Sequence, residues 1–272
     1  MPCPPDPSRV LRVARQGVEH DVVPLSSNPW KSFLSFLYRQ TVGATARRSR
    51  GPTRPEHHGP PDVNLLHESI RATQSLDGWC SLEKAQALAD LVLAARPACI
   101  VEIGVFGGRS LIPMALAART YGGRVHGVDP WSKEAALEGE PDGENRDWWS
   151  QIDIEGVYDR FLIGVRRFGV QDTVRVHRAP DTTAIREFAA GQIGILHVDG
   201  NHSAEVSRRY IEQWGPKITA GGYLIMDDID WRSQAETIKL IESVYEPVRR
   251  DKSWAIYRKP VPAVESRPPA AA

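Results

Sequence analysis

The chain alternates short apolar runs with longer segments in which apolar residues return every three or four positions. The apolar runs indicate five buried strands, at residues 99–103, 124–128, 173–177, 193–198 and 222–226. The helical spacing predicts helices between or beside them, at residues 82–96, 110–120, 156–168, 183–189, 203–214 and 234–242. Alternation of this kind predicts parallel βαβ units in a doubly wound α/β sheet.

Two further strands are predicted at residues 245–249 and 254–258. Only a short turn joins them, so they are expected to form an antiparallel hairpin, because a parallel crossover needs a longer connection. In an open α/β sheet the ligand binds beyond the carboxyl ends of the strands. The polar residues at strand ends are therefore the candidates for chemistry.

The chain divides into a main domain and peripheral segments. Residues 1–60 are rich in Pro, Arg and Gly and are interpreted as an N-terminal extension, partly disordered or interface-forming. Residues 61–260 form the main domain, and residues 261–272 a flexible tail. The long connection at residues 131–155, with its three tryptophans, predicts a lid over an acceptor, although plain packing or a subunit contact explains it equally well.

Composition excludes several classes of protein. The 34 basic and 34 acidic residues among 272 give no net charge, so nothing indicates a nucleic-acid partner. Three cysteines without paired spacing argue against a disulfide framework. The sequence shows no apolar run of about 20 residues and no signal-peptide pattern, so we expect a cytoplasmic protein without a membrane partner.

A glycine-rich turn follows the first strand, in the segment EIGVFGGRS from Glu102 to Ser110. Its glycines are not spaced as GxGxxG, the pattern that holds a pyrophosphate. An acid two residues before the first glycine favours a cationic ligand, and S-adenosylmethionine carries a sulfonium and an amino group. We therefore predict cofactor contacts at Glu102, Gly104, Gly108 and Ser110, the alternative being an ordinary strand-to-helix turn.

Two further acids follow strands and are candidate cofactor ligands. Asp129 ends the second strand, where a carboxylate can accept both ribose hydroxyls. Its alternative role is to form the turn before Pro130. Asp181 follows the third strand and could reach the adenine amino group, or it could cap a loop.

The ends of the fourth and fifth strands carry the densest group of polar residues. Asp199, Asp227 and Asp228 would repel one another without a cation, and oxygen ligands suit Mg²⁺. With a metal bound, Asp199 would help to orient and acidify an acceptor hydroxyl. His202 is a candidate general base, whereas His197 lies inside the strand and is interpreted as a core histidine. The alternatives are that Asp199 caps a helix and that one of the paired acids faces solvent.

Four segments together, EIGVFGGRS, HGVDPW, HVDGNHSAE and GGYLIMDD, resemble class I S-adenosylmethionine-dependent methyltransferases. The resemblance spans residues 79–259 and is strongest to the branch that contains macrolide-sugar O-methyltransferases and cephalosporin-hydroxylase-like proteins. It implies a seven-stranded Rossmann-like sheet of order 3-2-1-4-5-7-6 with strand seven antiparallel. It also implies Mg²⁺ at the three aspartates, His202 as catalytic base, and a homo-oligomer with N-terminal elements in its interface.

These observations predict a Mg²⁺-assisted O-methyltransferase that acts on a hydroxyl of a small molecule, such as a natural-product sugar or a glycan. Natural-product chemistry is suggested by 27 arginines against 7 lysines, which is typical of high-GC bacteria. A non-methylating member of the fold, hydroxylase-like or a cofactor-binding scaffold, is the main alternative. An iron facial triad needs two histidines and one carboxylate, and the group of polar strand-end residues offers only one histidine, His202. An NAD-dependent enzyme would have the other glycine pattern.

Overall fold

The computed structural model describes residues 63–139 and 143–262. The predicted extension at residues 1–60 and most of the predicted tail lie outside the described residues, so this domain division stays a prediction. The described helices are α1 Val63–Ala72, α2 Leu82–Ala95, α3 Leu111–Arg119, α4 Lys133–Ala136, α5 Gly143–Gln151, α6 Ile154–Arg167, α7 Asp181–Ala184, α8 Ala204–Trp214 and α9 Ala235–Val244. The strands are β1 Cys99–Ile103, β2 Arg124–Val128, β3 Val174–His177, β4 Ile193–Val198, β5 Ile218–Asp227, β6 Glu246–Arg250 and β7 Trp254–Arg258.

All seven strands form one sheet of order β3-β2-β1-β4-β5-β7-β6. The first five strands are parallel to one another, and β7 runs antiparallel to both β5 and β6. The predicted fold class, strand order and terminal hairpin are therefore confirmed. Helices that pack on both faces bury β1 entirely and β4 except at Gly194, which explains why both strands are apolar apart from Glu102 and His197.

Some element boundaries differ from the prediction. β5 begins at Ile218, four residues earlier than predicted, and its pairing with β4 shifts register near Ile193. The glycines at 221 and 222 hid this start, because glycine has low strand propensity. The helix predicted at residues 183–189 instead begins at Asp181, and continues as a 3-10 turn at Ile185–Glu187.

The two faces of the sheet carry separate apolar layers. One contains Leu88 of α2, Met114 of α3 and Phe161 of α6, and the other contains Trp214 of α8 and Ile241 of α9. Within the part of the chain that the structure describes, no helix is long and apolar enough to cross a membrane.

For Trp131 the structure fits the alternative of plain packing, and a lid stays a prediction for the rest of the segment. Trp131 is 2% exposed and belongs to the core, where its ring lies 5.4 Å from that of Phe161 and 4.7 Å from that of Tyr158. Its indole N–H donates to the carbonyl oxygen of Phe106 at 2.9 Å. Trp148 and Trp149, on α5, do line the central cavity, so only the later part of the segment has a position suited to covering a ligand.

Candidate functional site

A cavity of about 710 Å³ opens at the carboxyl ends of the central strands, where ligands bind in open α/β sheets. The loops after β1, β2, β4 and β5 surround it, and the first turn of α2 closes one side. Its volume lies within the range of about 300–1,000 Å³ that is typical of small-molecule sites.

The glycine turn between β1 and α3 forms the floor of the cavity. Gly104 has a φ of 84°, and a Cβ placed there would lie 2.2 Å from the carbonyl oxygen of Asp199. This position therefore requires glycine and brings the loops after β1 and β4 together. Gly108 differs from the prediction, since it faces the core: a Cβ there would lie 2.6 Å from the ring of Phe161. It packs α6 against the turn and does not line the cavity.

Glu102 and Ser110 form a buried pair at one end of this turn. Glu102 is completely buried, and the Ser110 hydroxyl donates a hydrogen bond to its Oε1. On its other side, Glu102 Oε1 lies 3.2 Å from His197 Nδ1. Ser110 lines the cavity and Glu102 does not, so the charge of Glu102 would act on a ligand from a distance and not through the predicted contact.

Asp129 lines the cavity, but backbone groups already use its carboxylate. Oδ2 accepts the N–H groups of Val105 and Phe106 at 2.9 and 3.0 Å, and Oδ1 accepts that of Trp131 at 2.7 Å. Burial raises the pKa of Asp129, although the three hydrogen bonds to its carboxylate act to lower it. Asp129 thus fixes the glycine turn, and its contact with a ribose remains a prediction.

Asp181 lies at the start of α7 and also lines the cavity. Its Oδ1 is 3.4 Å from Nη2 of Arg209, which in turn makes two contacts with Glu138 at 2.6 and 3.0 Å. Burial raises the pKa of Asp181, although the Arg209 guanidinium opposes the shift. The contact of Asp181 with adenine stays a prediction.

The structure brings together the polar residues predicted to cluster at the ends of β4 and β5. His202 Nε2 lies 3.1 Å from Asp228 Oδ2 and 3.9 Å from Asp199 Oδ1, and its Nδ1 lies 2.9 Å from the Gln234 amide nitrogen. Asp228 has a φ of 50°, in the left-handed region that aspartate tolerates better than most residues. Burial and, to a smaller extent, the negative charge of Asp227 raise the pKa of Asp228 to about 7. Burial lowers the pKa of His202 to about 4.

Lys84, in the first turn of α2, is a site residue that the sequence interpretation missed. Its side chain is 3% exposed, and its ammonium contacts Oδ2 of Asp227 and lies 3.5 Å from Oδ2 of Asp199. Although burial opposes the shift, this ammonium lowers the pKa of Asp227 to about 2, whereas burial and Asp227 raise that of Asp199. One signal was available: lysine is disfavoured near a helix N-terminus, where the helix dipole is positive.

The three aspartates in this arrangement do not fit the predicted Mg²⁺ site. A magnesium ion needs oxygen ligands around one point, and the Lys84 ammonium already lies against Oδ2 of both Asp199 and Asp227. Among the described residues, one ligand atom each of Glu102, His197 and Asp199 lies within 4.8 Å of the others. Glu102 and His197 are completely buried within the sheet, and the Ser110 hydroxyl already bonds to Glu102.

The cavity as a whole is acidic. Eight carboxylate side chains line it against three basic ones; the acids are Glu83, Asp129, Glu138, Asp181, Asp199, Asp227, Asp228 and Asp251, and the bases are Lys84, Arg109 and Arg209. Such a lining favours a cationic ligand over a phosphorylated one.

Aromatic side chains form one wall of the cavity. The ring of Trp79 lies 5.1 Å from that of Phe106 and 5.3 Å from that of Trp148. Trp149 packs edge-on against Trp148 at 4.9 Å and against Phe106 at 6.1 Å. Trp79 is nevertheless 58% exposed, so this wall leaves an aromatic face open to a ligand.

Comparison with known proteins agrees with this geometry. Residues 101–229 match a family described as a methyltransferase domain. No curated protein sequence gives a significant match. Among solved structures, the cofactor-bound Rv0187 from MTB is 16% identical, with 75% of this chain and 92% of that chain covered and a TM-score of 0.52.

Two other solved structures have the same fold. The O-methyltransferase NovP is 15% identical, with 73% of this chain and 98% of that chain covered and a TM-score of 0.52. The S-adenosylhomocysteine-bound methyltransferase PaMTH1 of Podospora anserina is 13% identical, with coverages of 89% and 99% and a TM-score of 0.51. At these identities the likeness concerns the fold.

The sheet order and the cavity at its switch point define a class I methyltransferase fold. Residues 101–229 match a methyltransferase domain, so the resemblance of the sequence to S-adenosylmethionine-dependent methyltransferases is confirmed at the level of class I.

Proposed function

We propose that this protein transfers the methyl group of S-adenosylmethionine to a hydroxyl oxygen of a small molecule. The observation that carries the proposal is one acidic cavity lined by both the glycine turn and His202. The glycine turn supplies a floor without side chains at Gly104, and the carboxylates suit a sulfonium. Neither feature suits a nicotinamide dinucleotide, whose pyrophosphate requires a different glycine pattern.

In the proposed reaction the C–S bond to the methyl carbon breaks as a C–O bond forms. Sulfur keeps the electron pair and becomes the neutral sulfide of S-adenosylhomocysteine, while the acceptor hydroxyl loses its proton. His202 is the proposed base, because burial lowers its pKa to about 4 and so keeps the imidazole neutral at physiological pH. Asp228, 3.1 Å away, and Gln234 hold its ring in place.

The rest of the site would orient the two substrates. Positioning reacting groups is a large part of catalysis in such transfers. We propose that Gly104 and Ser110 contact the methionine part of the donor, Asp129 the ribose and Asp181 the adenine, since all four line the cavity. A natural-product sugar or a glycan remains the proposed acceptor class, and the open aromatic face of Trp79 is compatible with either.

Other expectations from the sequence keep the status of proposals. These are the homo-oligomer and the cytoplasmic location, and gel filtration with light scattering would test the first. Magnesium assistance is no longer proposed, because the Lys84 ammonium already contacts two of the carboxylates that would hold the metal.

Calorimetry with S-adenosylmethionine, S-adenosylhomocysteine and NAD tests the cofactor part of this proposal. We expect both adenosyl compounds to bind at one site per chain and NAD not to bind. Sugars, glycans, catechols and simple alcohols would then be screened for transfer of a labelled methyl group. Binding of NAD alone would overturn the proposal, and binding of the adenosyl compounds without transfer to any hydroxyl would favour the cofactor-binding scaffold.

A further inference from the structure

The ammonium of Lys84 is a buried positive charge beside the carboxylates of the site. Lysine is almost never buried this completely unless it is paired, and here it faces two carboxylates from neighbouring strands. Without a cation, Asp199 and Asp227 would repel each other in a buried setting. The chain thus supplies from α2 the positive charge that a metal ion would otherwise bring.

The ammonium also takes up the oxygen atoms that a metal would need. It lies against Oδ2 of Asp227 and 3.5 Å from Oδ2 of Asp199, so it sits on the face that these two carboxylates share. A divalent ion bound to both oxygens would lie within repulsive distance of Nζ. The two cations therefore exclude each other.

Several contacts hold Lys84 in this position. Ser81 caps α2, and its side chain accepts the backbone N–H of Lys84 at 3.1 Å. The segment before α2 is tied to the glycine turn by Arg109, which donates to the carbonyl oxygens of Gly78 and Gln74 at 2.6 and 2.8 Å. The first turn of α2 is thus fixed relative to the strand ends.

We propose that Lys84 is the resident cation of this site, so that the aspartates bind no divalent metal and methyl transfer needs none. The second half of this statement rests on the proposed function, and the first half does not. The inference also bears on the acceptor. A metal binds two neighbouring oxygens of a substrate together, whereas an ammonium donates separate hydrogen bonds. A single acceptor hydroxyl is therefore sufficient, and a catechol has no chelating advantage.

Titration with Mn²⁺ alone, followed by electron paramagnetic resonance, tests the inference without knowledge of the acceptor. We expect no stoichiometric binding by the wild-type protein or by Lys84→Arg, which keeps the charge. Lys84→Ala should bind one Mn²⁺ per chain, because it frees the carboxylates, and adding Asp227→Asn to that variant should abolish the binding. Lys84→Met, which keeps more of the side-chain volume, replaces Lys84→Ala if thermal unfolding shows that the latter is not folded.

Stoichiometric Mn²⁺ binding by the wild-type protein that Asp227→Asn removes would overturn the inference. A folded Lys84→Ala or Lys84→Met that binds no Mn²⁺ would also overturn it, since Lys84 would then not stand in a metal's place. Calorimetry with S-adenosylmethionine on the same samples keeps the two proposals apart. A protein that fails to bind it refutes the proposed function and leaves the Mn²⁺ result intact.

Discussion

The Lys84 ammonium on α2 contacts the Asp227 carboxylate at the end of β5, although 143 residues separate them in the sequence. This contact joins the helix before the first strand to the last parallel strand of the sheet. It also sets the charge of the cavity at the point where the loops after β4 and β5 meet. The same pair of residues is therefore expected to affect both the stability of the fold and the properties of the site.

A double-mutant cycle should show strong coupling between these two residues. Lys84→Met and Asp227→Asn each leave a buried charge without its main partner, and breaking such a pair costs about 3–5 kcal/mol of unfolding free energy. The double variant should lose less than the sum of the single losses, because neither charge remains. Denaturant unfolding of the four proteins measures this, and additive losses would show that the pair does not interact.

Replacing His202 should impair turnover and spare cofactor binding. His202→Gln removes the proposed base, and loss of a general base lowers the rate by roughly 10²–10⁴-fold. The affinity for S-adenosylmethionine should stay within a few-fold of wild type. Gln234→Ala, which keeps the imidazole but removes its contact at Nδ1, is the comparison variant and should have a smaller effect on kcat. Wild-type turnover by His202→Gln would exclude this residue as the base.

Gly104 and Gly122 form a matched pair for testing the floor of the cavity. Both have a positive φ, 84° and 80°, but a Cβ at 122 would meet no atom within 4 Å, whereas one at 104 would clash with the Asp199 carbonyl. Gly122→Ala should cost about 1–2 kcal/mol from backbone strain alone. Gly104→Ala should cost more and should also weaken binding of S-adenosylmethionine. Equal losses of stability and unchanged affinity in the two variants would contradict the position assigned to Gly104.

Much of the fold could be predicted because both faces of the sheet are covered. Strands such as β4 then consist almost entirely of apolar residues, and helices such as α8 are recognised by the spacing of theirs. The predicted site residues at strand ends also lie close together, since the carboxyl ends of parallel strands share one edge of the sheet. Asp199, His202, Asp227 and Asp228 all line the cavity for this reason.

The roles of Lys84, Trp131 and Gly108 could not be predicted in this way. Each depends on packing between elements distant in sequence: Lys84 on α2 against β4 and β5, and the other two against Phe161 of α6. Local spacing places a lysine on a helix surface and a tryptophan in a loop. Only the tertiary arrangement shows that both are buried.

Truncating Trp79 should affect ligand binding more than stability. The side chain is 58% exposed although its ring packs near Phe106 and Trp148, so Trp79→Ala should change the unfolding free energy by only about 0.5 kcal/mol. An aromatic contact with a substrate contributes about 0.5–1.5 kcal/mol, so KM for an acceptor found by the screen should rise roughly 2–10-fold. Val244→Ala, at a 52% exposed apolar residue outside the cavity, is the control. If both variants had the same KM, the aromatic wall would have no part in binding.

His126 should make the fold less stable at mildly acidic pH. Burial, together with the neighbouring His177, lowers its pKa from 6.5 to about 4, and its Nδ1 lies 2.9 Å from His177 Nε2. Between these two values the unfolded chain binds the proton more readily than the folded one, so stability falls as pH decreases from about 6.5 towards 4. His126→Asn should reduce the dependence of stability on pH. Glu187, which lies 3.2 Å from His177 Nδ1, is present in both proteins, so the difference between them reports on His126. Denaturant unfolding of wild type and variant at several pH values tests it, and parallel profiles would assign the slope to other groups.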